Sequence, residues 1–391
     1  MREYTEQEYR DILGNAVLES SLVDKRMAQV YDKIRKEERG RKRKRRGKAL
    51  AGLATMAAAF VFMIVFCAAN PALAAKLPIM GSFFKDVEEK VSYKGDYSNR
   101  SEKLIPEGTE ESTETDSPYI KTDNGVTITV GEVYCNDMAL YLGVQIQKDQ
   151  PVSREFIENH TYVDETESIS LVSTLIIDRS QADGNDIYIC PYSIEGSFVD
   201  EYTFTGIIRV DALDFVEELT PGYEGEVSVE NWDEHFKRIA IPDEFSCRLN
   251  IEEVFSEFFV EEKTEEVEGT WNFMLDVKKD TSGCLVKEIN ETDENGFGIS
   301  KITKSPYEIY AEAILPEGES IADYFVAIRD AQGKPLEAQG NDAEVYSIYN
   351  RDVSKVTVYI CDYETYMNEC KAENWQNLPK KAVYAKEITF D

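Results

Sequence analysis

A run of 21 residues without a charge, Ala49–Ala69, constrains the fold of this chain more than any other feature. At about 1.5 Å of rise per residue, a helix over this run is about 31 Å long, which matches the hydrocarbon thickness of a bilayer. A helix in a soluble core usually keeps a polar face, and this run has none. The run predicts one transmembrane helix over residues 49–69.

Charged residues are divided unequally between the two sides of this run. Residues 1–48 carry 15 Lys/Arg and 9 Asp/Glu, whereas residues 76–391 carry 28 and 66. Because basic flanks remain in the cytoplasm, the sequence predicts a cytoplasmic N-terminus and an extracellular C-terminal domain in the cell membrane. The basic residues just before the run, predicted to bind anionic lipid headgroups, include Arg43, Lys44, Arg45 and Arg46.

A secretory signal peptide is the alternative for the apolar run, because Ala72-Leu73-Ala74 has the small-x-small form of a cleavage site. The lengths argue against it. A signal peptide has an apolar region of about 7–15 residues behind a brief basic start. Here the apolar run is longer and 48 residues precede it.

Residues 1–48 also contain apolar residues at helical spacing, which predict two short amphipathic helices. A segment of this size cannot bury both apolar faces by itself, so the sequence predicts a protein partner for them. Acidic residues on the polar sides disfavour docking on anionic lipid. The alternative is a helical stub that only anchors the chain. The predicted partner-binding residues are Ile12, Leu13, Val17, Leu22, Met27, Val30 and Ile34.

Residues 70–118 are predicted to form a juxtamembrane segment followed by an acidic flexible linker. Pro71 ends the predicted transmembrane helix, and Phe83 and Phe84 are predicted to anchor the chain at the headgroup level. Tyr93–Pro118 is rich in Ser, Thr, Glu and Gly, which is typical of a flexible linker. Such a tether predicts that a protease transmits the signal by cutting near the membrane.

From Tyr119 onward the apolar pattern changes to a period of two, and Gly, Pro, Asn and Asp separate the short runs. Cys135–Met138 is predicted to turn the chain between two strands of a hairpin. The fold class predicted is mainly β, with two antiparallel β-sandwich-like domains beside the short helical cytoplasmic segment and the single transmembrane helix. Their boundary is placed near residue 235, which gives domains at 119–235 and 236–391.

The sequence gives little indication of catalysis. It has no G-x-S-x-G, P-loop or H-E-x-x-H motif, and its two histidines, His160 and His235, lie in polar contexts typical of surface residues. Aspartate-rich stretches such as Asp293–Gly296 lack the spacing of an EF-hand and are predicted to be turns. We therefore expect no enzyme activity, cofactor or metal. The acidic charge of residues 76–391 argues against binding of nucleic acid.

Six cysteines follow the apolar run, at positions 135, 190, 247, 284, 361 and 370. An even number in an extracellular domain permits up to three disulfides, and the sequence alone cannot rank the 15 pairings of six cysteines. Several lie in apolar strand patterns, as Cys361 does in VTVYICDY, and plain buried thiols are the alternative.

The order of the segments resembles a bacterial ectodomain family of unknown function found in membrane anti-sigma factors. The resemblance rests on NPALAAKLPIMGSFFK after the apolar run, DNGVTITVGEVY and GTWNFMLDVKKD, and covers most of residues 49–280. It implies a cytoplasmic partner, an extracytoplasmic-function sigma factor, and an extracellular ligand or protease as the signal. Zinc-type anti-sigma domains carry His and a Cys pair, which residues 1–48 lack. The alternative function is a membrane-anchored surface binding or structural protein without a sigma factor.

Overall fold

The computed structural model describes residues 82–105, 117–152, 161–162, 166–179, 185–220, 231–257, 263–320, 323–339, 342–371 and 375–390. The predicted cytoplasmic helices, their partner-binding stripe, the basic cluster and the transmembrane run lie outside these ranges and stay predictions. No helix within the described ranges is long and apolar enough to cross a bilayer. These residues form mainly antiparallel β-sheet, as the sequence predicts.

The first β domain is built on one large antiparallel sheet. Its strands are, in chain order, β1 (Glu102–Lys103), β2 (Ile120–Asp123), β3 (Val126–Cys135), β4 (Ala139–Lys148), β5 (Thr161–Tyr162), β6 (Thr166–Ile177), β7 (Ile187–Ile189), β8 (Ser193–Asp200), β9 (Thr203–Asp211), β10 (Val216–Glu218), β11 (Phe236–Arg238), β12 (Glu244–Glu257) and β13 (Lys263–Lys278). The strand order is β1-β3-β4-β9-β8-β6-β12-β13. Strand β2 pairs with β3, and β5 and β7 pair with β6, while β10 and β11 form a separate pair.

The second β domain has two sheets that enclose their own core. Its strands are β14 (Leu285–Thr292), β15 (Gly298–Lys304), β16 (Glu308–Ile314), β17 (Tyr324–Arg329), β18 (Glu337–Gln339), β19 (Asp342–Ser347), β20 (Lys355–Asp362) and β21 (Tyr384–Thr389). One sheet has the order β14-β15-β16-β19-β18 and the other β17-β20-β21. Apolar side chains from both sheets, such as Ile302 and Val358, pack in one cluster between them.

Short helices lie before and between the strands. Within the described ranges, the α-helices are α1 (Phe83–Val87), α2 (Trp232–His235), α3 (Tyr363–Thr365) and α4 (Leu378–Lys381). Single 3₁₀ turns occupy Tyr97–Asn99, Ala212–Asp214 and Trp375–Asn377, and one π-helical turn occupies Tyr366–Lys371.

The hairpin predicted around Cys135–Met138 is confirmed. Strands β3 and β4 pair antiparallel from Val126 opposite Lys148 to Cys135 opposite Leu140. The buried Asn136 holds the turn, because its side-chain oxygen accepts hydrogen bonds from the N–H groups of Met138 and Ala139 at 2.7 and 3.1 Å. An asparagine side chain that replaces a backbone acceptor in this way is a common device of tight turns.

Strand β13 is the last strand in the sheet order, and it lies beside β2 and β3 near the other end of that order. The Trp271 ring is fully buried and its Nε1 donates to the Val126 carbonyl on β3 at 3.0 Å. The Asn124 side chain donates to the Glu268 carbonyl at 2.8 Å. These bonds bring β13 beside β2 and β3, so the sheet curls around a single apolar core.

The predicted domain boundary near residue 235 lies about two strands before the boundary in the structure. Strands β12 and β13 follow that position, yet β12 pairs with β6 and both strands contribute to the first core. The crossing between domains lies between Lys278 and Leu285. The stretch Trp232–Ile241 interrupts the alternating pattern, and a loop between strands of one sheet produces the same interruption as a domain linker.

Candidate functional site

Residues 82–105, which we call the N-terminal segment, pack on the outer face of the first β domain. Helix α1 begins after Ser82, whose hydroxyl oxygen accepts from the Lys85 N–H at 3.2 Å. Glu132 on β3 accepts from the Ser82 hydroxyl at 2.9 Å and from the Phe84 N–H at 3.0 Å. The carboxylate satisfies an N–H group that has no partner within the helix and attaches the start of α1 to the sheet.

Phe83 and Phe84 lie inside the protein, only 4% and 0% exposed. The Phe83 ring covers two glycines of the sheet: a Cβ at Gly131 would lie 2.5 Å from its Cε2, and one at Gly143 would lie 3.3 Å from its Cβ. Glycines on this face leave the space that the ring fills. The two rings hold the segment on protein, which corrects the prediction that they lie among lipid headgroups.

Tyr97 is fully buried at the centre of an aromatic cluster. Its hydroxyl donates to the Tyr93 carbonyl, and the Tyr93 hydroxyl donates to the Ile207 carbonyl on β9 at 2.9 Å. Burial raises the pKa of both phenols well above the usual value, so they stay neutral donors. The rings around Tyr97, with centroid distances of 4.5, 4.9, 5.7 and 5.8 Å, belong to Tyr141, Tyr307, Phe84 and Tyr134.

A buried ion pair joins the two β domains beside this cluster. Arg209 on β9 donates from Nε and Nη2 to the two carboxylate oxygens of Glu308 on β16, at 3.0 and 3.2 Å. Its Nη1 lies 2.8 Å from Asp211 Oδ2. Burial lowers the pKa of Arg209, but the carboxylates of Glu308 and Asp211 outweigh that effect and hold it well above the usual value. The guanidinium is charged, and it supplies the counter-charge for the fully buried carboxylate of Glu308.

The N-terminal segment also contacts the second β domain directly. The Tyr307 hydroxyl, just before β16, donates to the Asp96 carbonyl at 2.8 Å. The Tyr349 hydroxyl donates to Glu89 Oε1 at 2.7 Å. We call the meeting point of the segment and both domains the junction. It comprises Ser82, Phe83, Phe84, Tyr93, Tyr97, Glu132, Tyr134, Tyr141, Arg209, Tyr307 and Glu308.

Half of the predicted linker is folded. In the stretch Tyr93–Pro118, a 3₁₀ turn follows Tyr93, and β1 pairs with β3. The Arg100 guanidinium donates to Asp280 Oδ2 at 2.9 Å. Residues 106–116 lie outside the described ranges. The average composition predicted flexibility here, but Tyr93 and Tyr97 alone supply two buried rings that fix the chain.

The junction holds elements together by packing, hydrogen bonds and one charge pair. Within the described ranges, no group of three His, Cys, Asp or Glu side chains is placed to hold a metal ion. His235 was expected at the surface but is 8% exposed, with Nδ1 2.7 Å from the Thr220 hydroxyl. Asp293 forms the predicted turn, where its side chain accepts from the Asn295 and Phe297 N–H groups.

Replacing Glu132 with glutamine is expected to raise the stability of the full-length protein at pH 7. Burial raises the pKa of this carboxyl, and hydrogen bonds from Phe84 and Ser82 only partly oppose that effect. Such a carboxyl stabilises the folded state when protonated, and this contribution is lost as the pH rises through the folded-state pKa. Glutamine is neutral at every pH and keeps one oxygen for the two hydrogen bonds.

Thermal unfolding of wild type and variant across mildly acidic to neutral pH checks this prediction. The advantage of the variant should shrink as the pH falls towards the usual glutamate value of 4.5, because wild-type Glu132 is then protonated itself. Glu268→Gln removes one charge from an exposed carboxylate and serves as the control. A difference between Glu132→Gln and wild type that does not change with pH contradicts the prediction.

Apart from Phe83 and Phe84, which were predicted to be membrane anchors, the residues that build the junction were not identified from the sequence. One signal pointed to it: Tyr134 and Tyr141 lie opposite each other on β3 and β4 and face away from the main core. Aromatic residues on the outward positions of a hairpin indicate that another element covers that face. Gly131 lies on the same strand as Tyr134, where a glycine marks a close approach by a neighbour.

Comparison with known proteins gives distant similarity. Residues 42–148 match a domain of unknown function, DUF4179. No curated protein matches the chain. Among solved structures, a conserved domain protein from Bacillus anthracis is 18% identical over 72% of this chain and 85% of that chain, with a TM-score of 0.38. The N-terminal part of the bacterial S-layer protein SbsC is 10% identical over 66% and 43%, with a TM-score of 0.14.

Proposed function

We propose that this chain is a single-pass membrane signalling regulator of the anti-sigma factor type. In this proposal, the two amphipathic helices of residues 1–48 hold an extracytoplasmic-function sigma factor inactive in the cytoplasm. Residues 82–391 respond to a condition outside the cell. The match of residues 42–148 to a domain that occurs in membrane proteins resembling anti-sigma factors supports this assignment.

The observation that carries the proposal is the folding of the N-terminal segment into the junction. In the sequence, only residues 70–81 separate this segment from the predicted transmembrane helix. Glu132 attaches it to the first β domain, and the Tyr307 hydroxyl attaches it to the second. A shift of either domain would therefore change the contacts that fix the N-terminal segment, which follows the predicted transmembrane helix in the sequence. A protein that is only anchored needs no such attachment.

Transmission by the junction keeps the predicted cleavage near the membrane but adds a conformational step in the ectodomain, which the prediction from a flexible linker had set aside. While the segment is docked, Phe84 and Tyr97 are fully buried and β1 is paired with β3, so a protease cannot bind this stretch in extended form. A ligand or force that separates the domains would weaken the contacts of the segment and expose it. Undocking is then the signal, and cleavage near the membrane is its consequence.

Replacing Leu22 and Val30 together with aspartate is expected to abolish capture of the sigma factor and derepress its regulon. Both residues lie in the predicted partner-binding stripe, where two carboxylates would be buried without partners against the sigma factor. The experiment is a pull-down with the full-length protein, combined with a reporter driven by the sigma-dependent promoter. The pull-down tests the extracytoplasmic-function sigma factors of the same bacterium, one at a time.

The control replaces Glu19 and Asp32, on the polar sides of the same helices, with alanine. This variant should retain the sigma factor as wild type does, and both variants should fractionate with the membrane. Unchanged capture by the aspartate variant, or no capture by the wild type, contradicts the proposal. Either result favours the anchored surface protein.

A further inference from the structure

A helical insert covers the outer face of one sheet of the second β domain. It spans residues 363–381, between β20 and β21, and its described part carries α3, the π-helical turn and α4. The Phe325 ring on β17 stacks on Tyr366 of the insert, with centroids 4.6 Å apart and planes at 15°. The small core enclosed by the insert contains Ala327, Tyr359, Cys361, Tyr366, Cys370 and Leu378.

Two cysteines of this small core come from different elements. Cys361 lies on β20 and is fully buried, whereas Cys370 lies in the π-helical turn and is 7% exposed. Both belong to the same core of six buried residues. The Cys361 sulfur also lies 3.6 Å from the Phe325 carbonyl oxygen, which fixes its position on the sheet.

The other described cysteines have different surroundings. The Cys135 thiol donates to the Asn136 carbonyl at 3.8 Å, and the Cys284 thiol donates to the Asp280 carbonyl at 3.9 Å. Cys190 is exposed. Cys135 and Cys247 lie in the much larger core of the first β domain, whereas Cys361 and Cys370 share a core of only six buried residues. This proximity ranks the Cys361–Cys370 pairing above the other pairings of the six cysteines.

We propose that Cys361 and Cys370 are a disulfide-forming pair that covalently fastens the insert to β20. The co-reactant is an exchange-active disulfide, either of a thiol oxidoreductase or of a small oxidised thiol. The more accessible Cys370 thiolate attacks one sulfur of that disulfide and expels the first thiol. The Cys361 thiolate then attacks the sulfur of Cys370 and expels the second. Two protein thiols are oxidised, one disulfide is reduced, and both protons end on the released thiols.

The bond acts on the insert, which packing and hydrogen bonds hold against the sheet. The described insert is otherwise fastened by the Phe325–Tyr366 stack, by packing, and by contacts such as the one from Arg329 to the Trp375 carbonyl. Closing the short loop between residues 361 and 370 limits how far the π-helical turn can move from the sheet. Oxidation should therefore suppress local opening of the insert.

Mass mapping of the full-length protein tests the pair. Membranes are treated with an oxidised glutathione buffer, the remaining thiols are alkylated in denaturant, and the protein is digested. The expected product is one linked peptide pair that contains Cys361 and Cys370, with Cys135 and Cys247 alkylated. Cleavage within residues 363–381 by an added protease should be about tenfold slower in the oxidised protein than in the reduced one.

Two matched variants separate this pair from the other buried thiols. Cys370→Ser should leave Cys361 alkylated and remove the effect of oxidation on cleavage, whereas Cys135→Ser should leave the linked peptide and the effect unchanged. The mapping of wild type decides the question even if a variant folds poorly. Alkylation of both Cys361 and Cys370 in the oxidised wild type, or linkage of either to another cysteine, overturns the proposal.

Discussion

Replacing Arg209 with alanine is expected to destabilise the protein by about 3–5 kcal/mol, because it leaves a buried carboxylate without its counter-charge. Glu308 is 0% exposed and both of its oxygens accept from this guanidinium. The same change removes the ion pair with Asp211 on β9. Since β9 and β16 belong to different β domains, the loss should also weaken their attachment. Urea unfolding followed by tryptophan fluorescence measures the effect.

Two further variants show whether the effect belongs to this ion pair. Arg248→Ala removes an exposed arginine from β12 and should change stability by no more than about 0.5 kcal/mol. Arg209→Met combined with Glu308→Leu removes both charges, and should lose less stability than Arg209→Ala because no unpaired glutamate remains between the domains. If the double variant is less stable than Arg209→Ala, the unpaired carboxylate is not the cause.

The parts of the fold that local signals determine were predictable. The β3–β4 hairpin is one example, because alternating apolar residues and an asparagine at the turn are contained within Val126–Lys148. The mainly β class followed from the same repeated pattern. In such elements the residues that determine the structure are close together in the chain, so a short stretch of sequence is enough to predict it.

The junction could not be predicted, because its contacts join residues far apart in the sequence. Arg209 and Glu308 lie 99 residues apart, and Tyr307 and Asp96 lie 211 apart. The sequence around an arginine in a strand does not identify the carboxylate with which it will form an ion pair. A period-two pattern identifies the face that is buried in the main core, but it does not show that another segment covers the opposite face.

The predicted headgroup position of Phe83 and Phe84 shows the same limit. Two adjacent aromatic residues after an apolar run are typical of a membrane interface and equally of a small protein core. The glycines at positions 131 and 143, which make room for Phe83, lie 48 and 60 residues further along the chain. Only the pairing of β3 with β4 brings those glycines together under the ring.

Replacing Tyr97 with alanine is expected to have the largest effect on signalling, because it removes the ring at the centre of the junction. Tyr97 is fully buried among four other rings, and truncation of such a residue costs about 3–5 kcal/mol. Much of that loss should appear as undocking of the N-terminal segment. At about 1.4 kcal/mol per tenfold change in population, the undocked fraction should rise by about a hundredfold or more.

Limited proteolysis of the full-length protein and the sigma-dependent reporter measure the two consequences. Cleavage within residues 82–105 should accelerate in the Tyr97→Ala variant. The reporter should be active without an inducing condition, as expected for the variant in which Leu22 and Val30 are replaced with aspartate. Tyr97→Phe keeps the ring and loses the hydrogen bond to the Tyr93 carbonyl, so it should cost about 0.5–1.5 kcal/mol and stay repressed. If Tyr97→Ala undocks the segment while the reporter stays silent, the junction does not transmit the signal.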